Sequence, residues 1–308
     1  MAIALSFSAC TPPSPAPEGL DEAARFVFRE FYGDDATIGA GLTGLMNWYD
    51  DEGYSLAGQS ATIDEETETE GVQPASAFTV ADLQWEDLAR LSLPADDRQI
   101  EDANGTVSLQ EMPCTWAETE ALLTRPDQQV VFEGTFDNYE RTYVTSRNEY
   151  EDARESLEFA PILSVLPDLH ADDHVHDGLE TSVLLTANQI TSTELGVTLE
   201  YEYLLDFRHG VYEVQGEMLP VWLILSWLKE PASGQGGNNT FEQSYSLEVT
   251  FGNGDSSLRI FANWSFVDSV LAGPDSPIWT TGAVNKSRDA AQRLSDICSG
   301  EIELPTET

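Results

Sequence analysis

The segment Val197–Phe207 reads VTLEYEYLLDF, and its residues alternate in character along the chain. Val197, Leu199, Tyr201, Tyr203, Leu205 and Phe207 fall on one side of an extended backbone, against Thr198, Glu200, Glu202, Leu204 and Asp206. A period of two predicts a strand with one buried face, the pattern of antiparallel sheets. Downstream, Phe241, Tyr245, Leu247, Val249 and Phe251 alternate with Glu242, Ser244, Ser246, Glu248 and Thr250. Leu258, Ile260, Ala262, Trp264 and Phe266 repeat the pattern. Between these segments, Leu219–Leu228 (LPVWLILSWL) is apolar on both faces and predicts a central strand covered on each side. His209-Gly210 and Asn253-Gly254 read as tight hairpin turns. Upstream, Val130, Phe132 and Phe136, then Tyr139, Arg141 and Tyr143, begin the period-two region.

Helical spacing dominates before Pro126. Leu20, Ala24, Val27, Phe28 and Phe31 share one helix face, and Ile38, Leu42, Leu45, Met46 and Tyr49 share another. Thr79 reads as the cap of a helix carrying Val80, Leu83, Leu88 and Leu91. Thr115 and Glu118 form a capping-box pattern that opens a short helix, closed by Arg125-Pro126. A helical stretch falls near Ser146 to Leu157. Asn285 to Cys298 is helical again, with Val284, Ala291, Leu294 and Cys298 on one side and Asp289–Arg293 as an i,i+4 pair. The expected fold class is α+β: an N-terminal helical region, then a curved antiparallel sheet with a C-terminal helix. The divisions are a signal remnant and Pro-rich tether (1–17), a mainly helical region (18–125), a sheet-plus-helix domain (126–300) and a tail (301–308).

This order of elements resembles the helix-grip fold of START-like and polyketide-cyclase-like domains. The resemblance rests on element order and on no specific motif. It implies a sheet gripping the last helix around an apolar cavity.

The chain has 308 residues and 41% hydrophobic content, enough for a sizeable core. Acidic residues number 55 against 14 basic ones, a net charge of −41, and only Lys229 and Lys286 are lysine. A surface this negative repels phosphate backbones, which excludes nucleic acid as a partner. No apolar run is long enough to span a bilayer as a helix. Acidity with few lysines fits either a protein kept hydrated at high salt or an exported surface protein.

The chain opens MAIALSFSACTPPSPAP. Phe7-Ser8-Ala9-Cys10 places small residues before a cysteine, and Pro12, Pro13, Pro15 and Pro17 follow. This resembles the end of a bacterial lipoprotein signal peptide, although Phe7 stands where leucine is usual and the basic leading segment is missing. The resemblance implies lipidation at Cys10, an extended tether, and, since Thr11 follows the cysteine, the outer membrane of a bacterial cell envelope. The alternative is an unstructured cytosolic leader. With Cys10 lipidated, Cys114 and Cys298 remain as a candidate disulfide of an oxidising compartment; the alternative is two buried thiols.

Three of the four histidines lie in Leu169–Asp177 (LHADDHVHD). His170, Asp173, His174 and His176 are candidate ligands for zinc or another divalent metal, against the alternative of a polar surface loop. The spacing matches neither HExxH nor a calcium loop. Gly39–Gly44 spells GxGxxG, but a helix precedes it and acidic sequence follows, which argues against dinucleotide binding. No GxSxG or CxxC is present. Tyr203, Trp222, Trp227 and Trp264 are candidate linings of a ligand pocket, against an ordinary aromatic core. Two functions follow. The first is a lipid-anchored, non-catalytic binding module for an apolar small molecule or an envelope protein partner. The second is a metal-binding protein or metal-dependent hydrolase centred on the histidines.

Overall fold

The computed structural model describes residues 104–156, 182–194, 197–214, 217–234, 239–253, 255–269 and 277–307, with positions 26, 41, 43–45, 47, 48, 60, 61, 72, 73 and 77–79 before them. The strands are β1 (Ser60–Ala61), β2 (Val72–Gln73), β3 (Ala77–Thr79), β4 (Asn104–Met112), β5 (Asn138–Tyr143), β6 (Ser182–Glu194), β7 (Val197–Val214), β8 (Glu217–Leu228), β9 (Ala232–Ser233), β10 (Asn239–Asn253) and β11 (Ser256–Ser269). The helices whose bounds lie among the described residues are α1 (Trp116–Leu123), α2 (Gln128–Val131), α3 (Arg147–Ser156) and α4 (Pro277–Cys298). Nine strands form one antiparallel sheet in the order β3-β4-β11-β10-β8-β7-β6-β5, with β9 paired to β10. β3 and β4 belong to the sheet, so it reaches back across the boundary expected at residue 126. β4 (NGTVSLQEM) has two large apolar residues on one face, too few to stand out as a strand.

β8 lies between β7 and β10, as its two apolar faces require. On one side, Val221, Leu223 and Leu225 align with Phe251, Val249 and Leu247 of β10, and these with Leu258, Ile260 and Ala262 of β11, while Trp227 and Trp264 continue the same face. All are at most 3% exposed. This is the far face. On the other, the helix face, Trp222, Ile224 and Phe207 pack with Leu123 of α1, Val131 of α2, Tyr150 of α3 and Leu294 of α4 in one buried cluster. The Phe207 and Trp222 rings stack at 5.9 Å and 13°. Burying each such side chain is worth about 1.5–3 kcal/mol.

α1 begins with the expected capping box: the Thr115 side chain accepts from the Glu118 backbone N–H, and Glu118 accepts from Thr115. The backbone and side-chain hydrogen bonds from Thr115 hold the Glu118 carboxyl below its ordinary pKa. At the other end of α1, Arg141 of β5 donates to the carbonyls of Leu123 and Arg125, groups the helix leaves unpaired. Val130, expected in a strand, lies in α2. Arg293 does not pair with Asp289; it meets Glu133 at 2.9 Å and donates to the carbonyls of Val130 and Val131, joining α4 to α2. The tail is pinned as well, by Arg125 to the Pro305 carbonyl and by Arg147 to Glu307.

Asn253 and Ser256 close the β10–β11 hairpin where a turn was expected. His209-Gly210 is no turn. β7 runs through it to Val214, and His209 aligns with Trp222 while Gly210 aligns with Val221. Of the glycine-rich stretch the described residues are Gly41, Thr43 and Gly44, and these, with Leu45, Asn47 and Trp48, are helical. Phe26, Leu45 and Trp48 are buried, and of these only Leu45 was among the positions expected to face inward.

Cys114 and Cys298 form a disulfide with S–S 1.97 Å, tying the end of β4 to the end of α4 across 184 residues of sequence. Closing a loop this long restricts the unfolded chain by up to roughly 5 kcal/mol in the chain-entropy description. Reduction should therefore lower the urea midpoint by an amount equivalent to about 2–5 kcal/mol, with a steeper transition slope because the released unfolded chain exposes more surface. A midpoint unchanged by reductant would show that the bond carries no stability.

Candidate functional site

The register fixes what each rung of the helix face presents. One rung runs Ser182, His209, Trp222, Thr250, Arg259 and Gln110 across β6, β7, β8, β10, β11 and β4. The next runs Leu184, Phe207, Ile224, Glu248, Phe261 and Ser108, and the third Thr186, Leu205, Ser226, Ser246, Asn263 and Thr106. The face is therefore apolar on β7 and the near part of β8, and polar across β10, β11 and β4. The polar half is covered too: Ser108, Gln110, Ser244, Ser246, Glu248, Thr250 and Arg259 are at most 8% exposed. Alternation had implied one buried face and one solvated face. Both are buried, because α1, α2 and α4 return over the polar side.

Buried polar groups need partners, and most of these find one another. Arg259 donates to Glu248 at 2.6 Å and to Gln110 at 2.8 Å. Ser226 meets Ser246 at 2.6 Å, Ser244 meets Ser265 at 2.9 Å, and the Ser265 hydroxyl donates to Asn263 at 2.8 Å. The Arg259 Nε is buried without a partner. At the opposite end of the face, Tyr201, Tyr203 and Phe241 make three edge-on ring contacts, with centroids 5.2–6.3 Å apart, and all three are half-buried.

A second polar cluster lies where α1 and α3 dock. The Glu120 carboxylate, fully buried, accepts from the Tyr150 hydroxyl and faces His209 Nδ1 at 3.1 and 3.3 Å. The Trp116 ring meets His209 edge-on at 4.5 Å. A Cβ at Gly252 would lie 2.8 Å from Trp116 Cδ1, so glycine there leaves room for the indole. Thr119 Oγ1 and Ser257 Oγ complete the dock at 2.9 Å. Glu120, Tyr150 and His209 are at most 3% exposed, which makes the cluster a sealed tie between helices and sheet. Neither it nor the Arg259 network was found in the sequence, because each pairs residues far apart in the chain.

The candidate pocket residues divide. Tyr203 and Trp222 lie on the helix face; Trp227 and Trp264 lie on the far face, so the four cannot line one pocket. Cys10 and the segment with His170, Asp173, His174 and His176 lie outside the described residues. Among the described residues, no group of three or more His, Cys, Asp or Glu side chains is placed to hold a metal ion.

Replacing Glu120 with alanine strands the Tyr150 hydroxyl and the His209 imidazole in a dry site. Glu120→Ala should cost about 3 kcal/mol of unfolding free energy in urea, and Glu120→Gln less. A loss below about 1 kcal/mol for Glu120→Ala would mean that the tie contributes little.

No protein-family model and no curated protein sequence matches the chain. By structure, 42 solved chains match. They include a START-superfamily protein from Mycobacterium smegmatis, at 10% identity, covering 64% of this chain and 99% of that one with a TM-score of 0.36. Ara h 8.0201 shares 10% identity over 64% of this chain and 99% of its own, with a TM-score of 0.31. Protein Ms6760 from Mycobacterium smegmatis shares 8% identity over 74% of this chain and all of its own (100%), with a TM-score of 0.30.

Proposed function

We propose that the chain is a non-catalytic binding module, exported and lipid-anchored through Cys10 in a bacterial envelope, that takes a small amphipathic molecule between the helix face of its sheet and α4. The observation that carries this reading is the buried polar half of that face. A sheet that only needed covering would be cheaper to bury as Val, Leu and Ile, since polar groups lose hydration on burial and recover little net energy from one another. Ser226, Ser246 and Asn263 offer hydroxyl and amide partners to a ligand. The half-buried Tyr201, Tyr203 and Phe241, with Leu205, offer it apolar surface. The Cys114–Cys298 bond supports the exported address, because structural disulfides persist in oxidising compartments.

A neutral apolar fluorophore, N-phenyl-1-naphthylamine, should bind the folded protein saturably. Tyr203→Ala and Phe241→Ala should each weaken it by up to about tenfold, the scale of one aromatic contact. Val144→Ala, at an exposed position 58% accessible, should leave it unchanged. Non-saturable binding, or equal loss from all three substitutions, would contradict the reading.

A further inference from the structure

A bulge carries Phe241 from one face of the sheet to the other. Phe241 falls in the odd-numbered set of β10 with Tyr245, Leu247, Val249 and Phe251, and a regular strand would turn it to the far face beside Leu247 and Val249. The register with β11 shifts between Phe241 and Gln243: Gln243 aligns with Phe266, and Phe241 with Val267. Val267 shares its side of β11 with Ser265 and Asn263, which is the helix face. A bulge of this kind re-aims one side chain and gives up a ladder position, and here the side chain it re-aims is Phe241.

Phe241 thereby joins two other rings. Tyr201 and Tyr203 lie two residues apart on the helix face of β7. β9, paired with β10 and packed on β7, places only the methyl group of Ala232 opposite Phe241. The three rings meet pairwise at 79–86°, with centroids 5.2–6.3 Å apart. Three edge-on contacts engage at most three of the six ring faces, and the others are directed away from the trio. All three residues are half-buried, so a ligand can reach the rings and is partly desolvated there.

The face of an aromatic ring is the negative pole of its quadrupole and attracts cations, more strongly where water is excluded. Rings of this sheet face already hold cations: Arg141 lies over Phe207 and Arg259 over Phe261, each at 5.1 Å. The charge balance points the same way. With 55 acidic against 14 basic residues, the chain draws cations and repels anions. Arg259, on the polar half of the face, is already neutralised by Glu248.

We propose that Tyr201, Tyr203 and Phe241 receive the ammonium head of an amphipathic cation whose chain lies along Leu205. This rests on the binding reading above and names the head group its ligand carries. A quaternary ammonium spreads its charge over methyl groups and needs no hydrogen-bond acceptor, which suits a site built of rings.

The test displaces N-phenyl-1-naphthylamine from the wild-type protein with decyltrimethylammonium, decanol and decanoate, each below its micelle concentration. Salt at about 1 M, where the Debye length is about 3 Å, removes the general pull of the negative surface. The ammonium should displace the probe at a concentration about tenfold below that of decanol, with decanoate no better than decanol. Tyr203→Leu and Phe241→Leu keep apolar bulk and remove a ring. Each should lower the ammonium-to-decanol preference by about threefold or more, and Tyr203→Phe, which keeps the ring, should leave it within about twofold. The preference compares two competitors of one probe, so a change in probe affinity cancels. Equal displacement by the ammonium and decanol in the wild type, or a preference unchanged in both leucine variants, would overturn the cation site. Calorimetry with decyltrimethylammonium separates the site from the reading it rests on. Should the neutral probe fail to bind, wild-type heat that Phe241→Leu loses would keep the cation site and reject the neutral-ligand reading. Heat that Phe241→Leu retains, or no heat in the wild type, would reject the site.

Discussion

β8 buries both of its faces, and the architecture follows from covering them. Trp222 and Ile224 on one side and Val221, Leu223, Leu225 and Trp227 on the other are each at most 7% exposed. A strand this apolar cannot lie at an edge or face water. Its neighbours β7 and β10 extend each face, and the period-two register then commits every side chain of the flanking strands to one layer or the other. The far face is apolar across β8, β10 and β11 and carries the buried Asp206–Arg208 ion pair of β7. The helix face inherits the polar alternates of β10 and β11, and it still has to be covered.

That inheritance explains the cross-links. α1, α2, α4 and the tail come down on a face that is only half apolar, and they are fastened by specific polar ties as well as by packing. Glu120 with Tyr150 and His209, Arg141 on the α1 carbonyls, Arg293 on α2 and the Cys114–Cys298 bond each join a helix to the sheet or to another helix. Arginine suits the task because its fork spans several acceptors at once. Of the few cations in the sequence, Arg141 and Arg293 are committed to these ties.

The strands were legible because alternation is local: Val197–Phe207, the Phe241–Phe251 set and the Leu258–Phe266 set all lie in strands of the sheet. So were the Thr115–Glu118 capping box and the covered strand at Leu219–Leu228. The candidate site was not. Ser244, Ser246, Glu248 and Thr250 carry the same pattern as a solvated face, since a period of two records that two faces differ and not whether a helix returns over the polar one. His209 before a glycine has the local signature of a turn. Its true neighbours, Glu120 and Trp116, are remote in sequence, and no local rule brings them together.

The central claim is that ligand enters on the helix face and leaves the far face untouched. Intermolecular nuclear Overhauser effects from bound N-phenyl-1-naphthylamine to methyl-labelled protein test it directly, because methyl groups of the two layers never share a surface. The account predicts contacts to Leu205 and Leu228, both on the helix face. Contacts confined to Leu223, Leu225, Leu247 or Ile260 would place the ligand in the far layer and contradict it.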